Sequence, residues 1–345
     1  MNWIALQCRD ARSQSSRRTT VMISYTHGPH DLGGGCHAWL QPRGRWGQSN
    51  SGLIRDAGES LLVDTFLDLA HTGAMLAGID MLVREHPIRT IVNTHSDGDH
   101  WFGNELVAGA DVEIIASVAA AALMTEDAAR SLASLWERED QIGDYVRTVA
   151  GGFDPSGIRP TPPTRTFSGT IELRVGGRTV ELIEVGPAHT AGDVIVHVPD
   201  AKVVYAGDIL FVGTAPLVWA GPISRSIAAC DLLLGLDVGT FVPGHGPITD
   251  RSGVVRVRDY LVYVEDEASL CFTAGMTVDE AAASIDLSRF SDMVEHERLV
   301  ANVENVYETL DPSRPRATRV DLFGSMARAH SAHAQLTTAA EEIGG

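Results

Sequence analysis

Asn93-Thr94-His95-Ser96-Asp97-Gly98-Asp99-His100 places four side chains of metal-ligand type within six positions, directly behind the apolar run Thr90-Ile91-Val92. An extended chain sends alternate side chains to the same side. His95, Asp97 and Asp99 can therefore converge on one region, while His100 turns to a second point. Gly98 permits the tight bend between them. Two short-range clusters would result, as a two-metal site needs. The plainer alternative is a polar turn at a helix start, with Asp99 as its cap.

Three segments further along repeat the arrangement of a polar ligand close to an apolar run. They are Gly186-Pro187-Ala188-His189-Thr190-Ala191-Gly192-Asp193, Tyr205-Ala206-Gly207-Asp208 and Val242-Pro243-Gly244-His245-Gly246-Pro247. Glycines flank each His or Asp and allow close backbone approach. Sites in open sheets gather at the carboxyl ends of strands. Singly each segment reads as a turn. Together with the first they form one candidate metal-ligand set: His95, Asp97, Asp99, His100, His189, Asp208 and His245.

The flanking sequence supplies the elements. Strands are expected at Cys36–Leu40, at Gly52–Ile54, at Ser60–Asp64 and at Thr90–Val92. A helix is expected over 68–85 from Leu69, Met75, Leu76, Ile79, Leu82 and Val83, ending before Pro87. The alanine-rich stretch 118–150 reads as helical and 151–164 as a loop. Ile171–Val175 and Val180–Val185 alternate around Gly176-Gly177, a hairpin signal. Val194–Val198, Val203–Tyr205 and Thr240–Pro243 read as strands, and 226–236 and 250–310 as helical. Two runs of strands, each followed by helices, favour an α/β sandwich of two sheets with helices outside.

The order of the candidate ligands resembles the metallo-β-lactamase superfamily, whose pattern is His-x-His-x-Asp-His, then a lone His, a lone Asp and a final His. Asp64, closing Leu61-Leu62-Val63-Asp64-Thr65, matches the structural aspartate of the family's first motif. The resemblance runs over about residues 33–250. It implies an αββα four-layer sandwich of two mixed β-sheets flanked by helices, with two divalent metals at one edge. It assigns His95, position 97 and His189 to the first metal, Asp99, His100 and His245 to the second, and Asp208 to a bridge. Zinc is the expected metal, with iron or manganese as the alternative.

Position 97 departs from that pattern, being Asp where most members carry His. Asp97 either binds metal directly, acts through a water, or leaves the first site weak. As a ligand it would make that site harder and favour iron or manganese over zinc. The added negative charge lowers the pull of the cluster on an anionic substrate. On this reading Asp97→His should raise zinc occupancy. The flavodiiron branch of the superfamily also carries a carboxylate here.

The expected activity is metal-dependent hydrolysis, in which a metal-bound hydroxide attacks an ester, thioester, lactone or amide of a small molecule. Asp99 and Asp208 are the expected catalytic carboxylates. The rival is an iron-dependent oxidoreductase or oxygenase on the same fold. Trp46, Asn50 and Trp219 sit on loops beside the ligand segments and are expected to contact substrate; loop packing is the alternative. His27, His30 and His37 read as surface or packing residues.

Bulk properties bound the partners. Hydrophobic residues make up 44% and charged residues 21% of the 345, enough apolar side chain for a real core. A net charge of -18 disfavours nucleic acid and anionic membranes, which need a positive surface. A small-molecule substrate remains, and a homodimer is allowed. Cys8, Cys36, Cys230 and Cys271 form no C-x-x-C pair, so they read as free thiols of a cytoplasmic protein. No apolar run reaches the length of a membrane span. Residues 1–22 are expected to be a disordered extension, with translation starting at Met1 or Met22. The main domain is expected over 23–312 and a partly helical or disordered tail over 313–345.

Overall fold

The structure, a computed structural model, describes residues 25–344, with side chains described to residue 332. The expected N-terminal extension and the choice of start lie outside the described residues. The chain opens with a meander of β1 (Gly28–Gly33), β2 (Cys36–Leu40), β3 (Ser51–Asp56) and β4 (Glu59–Val63). Helix α1 (Leu69–Val83) begins at Asp68, whose carboxylate accepts from the His71 amide, and leads into β5 (Ile88–Val92). Then follow β6 (Glu113–Ser117), α2 (Val118–Ala121), α3 (Glu126–Ala133), α4 (Gln141–Ala150) and β7 (Arg165–Phe167). β1 to β7 form one sheet in sequence order, antiparallel up to β4 and parallel from β4 onward.

The second sheet comes from β8 (Thr170–Val175), β9 (Arg178–Glu184), β10 (Val194–Val198), β11 (Val203–Tyr205) and β12 (Thr240–Val242). Helix α5 (Ile223–Gly235) carries the chain from β11 to β12, which pair in parallel; the other pairs of this sheet are antiparallel. Both sheets are thus mixed. Helices α6 (Arg251–Thr273), α7 (Val278–Ser284), α8 (Leu299–Leu310) and α9 (Arg319–Gly344) complete the described chain.

Side-chain alternation decides the layering. Ile54, Leu61 and Val63 point inward and meet Leu182, Val194 and Val196 of the other sheet in a core between the sheets. Their neighbours Leu53 and Leu62 point outward, with Trp39, onto Met75 and Ile79 of α1. On the far side Ile195, Val204 and Phe241 face the helices α5, α6 and α8 through Leu233, Tyr260 and Val303. The result is the expected αββα sandwich.

Differences lie in short elements. The helical stretch 118–150 is divided into three helices, because Ser117, Thr125 and Asp140 each cap a new start with a side-chain oxygen. β1, β6 and β7 carry too little alternation to read from sequence. The segment after Pro315 forms α9, which packs Leu322, Phe323, Met326 and Ala327 against Tyr145 and Val146 of α4. Among the described residues no helix is long and apolar enough to cross a membrane.

Candidate metal centre

The carboxyl ends of four strands open on one edge of the sandwich. Asp64 follows β4, His95 follows β5, Asp208 follows β11 and His245 follows β12. His189 precedes β10, which runs antiparallel to β11, so it reaches the same edge. Backbone hydrogen bonds stitch these loops together: Asp64 to the Val92 carbonyl at 2.9 Å, Val194 to Thr94 at 2.8 Å and Gly244 to Gly207 at 2.7 Å. At Gly244 only a glycine fits, since a Cβ there would lie 1.8 Å from Asp208 Oδ1.

All seven candidate ligands meet at this edge. Three sets bring their ligand atoms within 4.8 Å of one another: His95, Asp97 and His189; His95, His100 and Asp208; Asp99, His100 and His245. Asp208 is central. Its Oδ1 lies 3.2 Å from His100 Nε2, and its Oδ2 lies 3.4 Å from both His189 Nε2 and His245 Nε2 and 3.8 Å from His95 Nε2. Asp99 Oδ2 approaches His245 Nε2 at 3.3 Å.

Three histidines are fixed by their outer nitrogens. His100 Nδ1 is 2.9 Å from Asp64 Oδ2, His95 Nδ1 is 2.9 Å from Thr94 Oγ1, and His189 Nδ1 donates to the Leu217 carbonyl at 2.6 Å. Each Nε2 is thereby turned inward, the arrangement in which an outer partner orients a metal-binding imidazole. His245 is held instead by stacking on Phe211, with ring centroids 5.2 Å apart and planes within 8°.

The donor set fits divalent metal. His95 Nε2, His100 Nε2 and Asp208 Oδ1 are buried without a hydrogen-bond partner, the 3.2 Å approach of the last two being misaligned. Such orphaned atoms are costly unless something else engages them. Three carboxylates converging in a buried site likewise call for positive charge. Without metal, the histidines take up that demand. Burial lowers His100, but Asp208, Asp99 and Asp64 outweigh it and hold the imidazolium well above the usual range. His245 is pushed up to about 9 against its burial by Asp208 and Asp99. His95, buried and facing His100, drops to about 3.

A cleft leads from this cluster to solvent. Trp46 and Trp219, both expected at the substrate, line it with centroids 6.3 Å apart. Asn50 does not. It is 3% exposed, its amide nitrogen donates to the carbonyls of Pro243 and Gly246, and its oxygen accepts from the Gln41 amide. Asn50 therefore clamps the 41–50 loop onto the His245 loop, and its polar atoms are spent on backbone. His71 pairs with Asp68 and His197 with Glu181, away from the cluster.

The largest addition is Arg319, the first residue of α9. Its guanidinium donates to Asp97 Oδ1 at 2.6 Å and lies over the Trp219 ring at 4.9 Å. Trp219 Nε1 donates to the other oxygen, Oδ2, at 2.9 Å, and His189 Nε2 lies 3.1 Å from it. Burial would raise Asp97, but Arg319 and then His189 hold its carboxyl well below the usual range. The sequence left 313–345 as a partly helical or disordered tail, and nothing in it points Arg319 at Asp97.

Comparison with known proteins agrees with this arrangement. The model of the metallo-β-lactamase superfamily matches residues 44–245, more than half of the chain. The chain belongs to the metallo-β-lactamase superfamily. It is 26% identical over 274 residues to the 2,4-dinitroanisole O-demethylase subunit alpha of Nocardioides sp. (strain JS1661), covering 77% of this chain and 68% of the relative. Among solved structures it is similar to a stereoselective inverting sec-alkylsulfatase from Pseudomonas sp., with a TM-score of 0.62 and 16% identity over 84% of this chain and 51% of that one. The chain thus spans about half of that alkylsulfatase. A metallo-β-lactamase from Pontibacter korlensis matches with a TM-score of 0.54 and 19% identity, over 69% of this chain and 99% of the other. At these identities the two structures show the fold alone.

Proposed function

We propose that this superfamily member is a metal-dependent hydrolase of a small, uncharged molecule with an apolar or aromatic body. The observation that carries the reading is the charge balance of the cleft. Its walls are largely apolar, with Trp46, Trp136, Phe211, Trp219 and Phe323 among them. Both of its arginines are already paired, Arg298 with Glu295 at 2.5 Å and Arg319 with Asp97 at 2.6 Å. No unpaired arginine or lysine among the lining residues is left to hold an anionic substrate. The relative named for O-demethylation of 2,4-dinitroanisole, an uncharged aromatic ether, supports the same choice. An aryl ether therefore joins the ester, thioester, lactone and amide as a candidate bond.

His95, Asp97 and His189 would hold one metal and Asp99, His100 and His245 the other, with Asp208 between them. When bound, the metals supply Lewis acidity and a water acidified toward neutral pH. The protein does the positioning. Asp64, Thr94 and the Leu217 carbonyl keep three imidazoles aimed inward. Trp46 and Trp219 present flat faces against which an aromatic body lies beside the cluster, and the apolar walls limit water. Asp99, less buried than Asp208, is placed to take the proton released as water adds and to return it to the departing group.

A panel of matched aromatic esters and ethers, neutral or carrying a carboxylate or sulfonate, tests this on zinc-loaded protein. The neutral members should turn over with the higher kcat/KM, and Asp208→Asn should abolish that turnover. Preference for the anionic members would sink the proposal. So would turnover that survives both Asp208→Asn and chelation.

A further inference from the structure

We infer that Arg319, through its ion pair with Asp97, cancels the extra negative charge at the first metal position, making helix α9 part of the metal centre. The inference rests on reading the cluster as a metal centre, and it goes beyond that reading by giving a positioning role to a residue that touches no candidate metal.

Three facts carry it. Asp97 spends Oδ1 on Arg319 and presents Oδ2 toward His189, so the guanidinium sits on the side of the carboxylate away from that histidine. The Trp219 indole steadies that same Oδ2, and its ring supports the Arg319 guanidinium from beneath. α9 itself is anchored by Leu322, Phe323 and Met326 in the core, so the arginine is delivered by a packed element and not by a loose chain end.

The charge count follows. Two divalent cations facing Asp97, Asp99 and Asp208 leave one net positive charge. Arg319 raises this to two, the value a neutral imidazole at position 97 would give without the arginine. The aspartate therefore does not make the cluster a poorer electrophile, as the sequence taken alone implied. The excess negative charge that pointed toward iron or manganese is likewise balanced. The expectation that Asp97→His raises zinc occupancy is reversed, because that variant leaves Arg319 unpaired beside two cations.

Two effects of Arg319 on metal affinity oppose each other. It orients Asp97, which helps binding, and it repels the metal, which hinders binding. Orientation loses one hydrogen bond when Arg319 is removed, since the Trp219 indole still donates to Oδ2. A unit charge a few ångströms from a dication, even at the high effective dielectric of a half-exposed side chain, shifts binding by about tenfold or more. Repulsion wins.

The test is zinc titration of the full chain against a chromophoric chelator, with elemental analysis, in wild type, Arg319→Gln, Arg319→Lys, Asp97→His and the double variant Asp97→His/Arg319→Gln. Arg319→Gln should bind its weaker zinc about tenfold more tightly than wild type, and more so at low salt. Arg319→Lys, which keeps the charge, should stay within a few-fold of wild type. Asp97→His should lose zinc relative to wild type, and the double variant should recover it. Equal affinity in wild type and Arg319→Gln, or weaker binding in the latter, would overturn the role of Arg319 while leaving the metal centre intact. Wild type that takes up no zinc would overturn the metal centre itself, and the inference with it.

Discussion

Asp64, fully buried, and Asp97, part-buried, are two carboxylates that meet different histidines of one cluster, and the fold treats them differently. Asp64 sits beneath His100 and accepts from the Thr94 amide at 2.7 Å, the Thr94 hydroxyl at 2.7 Å and His100 Nδ1 at 2.9 Å. Asp97 sits at the rim and is met by Arg319, Trp219 and His189. Burial raises the Asp64 carboxyl above its usual range, because the His100 charge and the Thr94 donors do not offset desolvation. Desolvation also raises Asp97, but there it is overwhelmed by the Arg319 guanidinium. A buried carboxylate whose cation is shared with other acids, as His100 is shared with Asp208 and Asp99, remains expensive to ionise, whereas one given a guanidinium of its own stays charged. Asp64 can thus be an orienting partner, while Asp97 is kept as an anion beside the metal position.

The contrast predicts where substitution hurts most. Asp64→Asn keeps the side-chain size and a residue that tolerates the left-handed backbone at this position, where φ is 60°. It removes the charged acceptor behind His100, and loss of such an outer partner costs on the order of 10–100-fold in metal affinity. Competitive zinc titration checks this. Zinc binding equal to wild type would show that the deep carboxylate does not orient its histidine.

The rim should respond through substrate more than through metal. Trp219→Ala removes an aromatic wall and should cost about 1–3 kcal/mol in kcat/KM on a neutral aromatic substrate. Trp219→Phe keeps the wall and loses only the indole N–H to Asp97, so efficiency should fall by a few-fold at most. Equal losses in the two variants would mean that the hydrogen bond, not the wall, is what Trp219 contributes.

The smallest effect is a proton count. In metal-free protein His245, raised to about 9, carries a proton at pH 7.5. Zinc ligation needs the neutral imidazole, so uptake at that pH releases the proton. As pH rises through about 9 the residue is already neutral, and its share of the release disappears. Asp97, held ionised throughout, contributes nothing. Calorimetry of zinc binding in buffers of different ionisation enthalpy measures the count. Release that stays constant from pH 7 to 10 would contradict the assignment of a raised imidazole to the cluster.

Residues 93–100, 186–193, 205–208 and 242–247 were enough to read the ligand order, and the strand runs in 52–64 and 194–205, with the alternation in 171–185, were enough to read two sheets with helices outside. Both are local properties. Each cluster residue sits within a few positions of a buried strand end, so the strand and one turn place it, and strand alternation declares its own inner and outer faces. Asn50 was misread because its place in the 41–50 loop looks the same whether its amide meets substrate or the carbonyls of Pro243 and Gly246. Tertiary structure alone decided the state of Asp97. Its partner Arg319 lies 222 residues away and reaches it only because α9 packs through Leu322, Phe323 and Met326 beside the cleft. An ion pair over that separation leaves no periodic trace in the chain; it exists only where packing brings the two charges to one point.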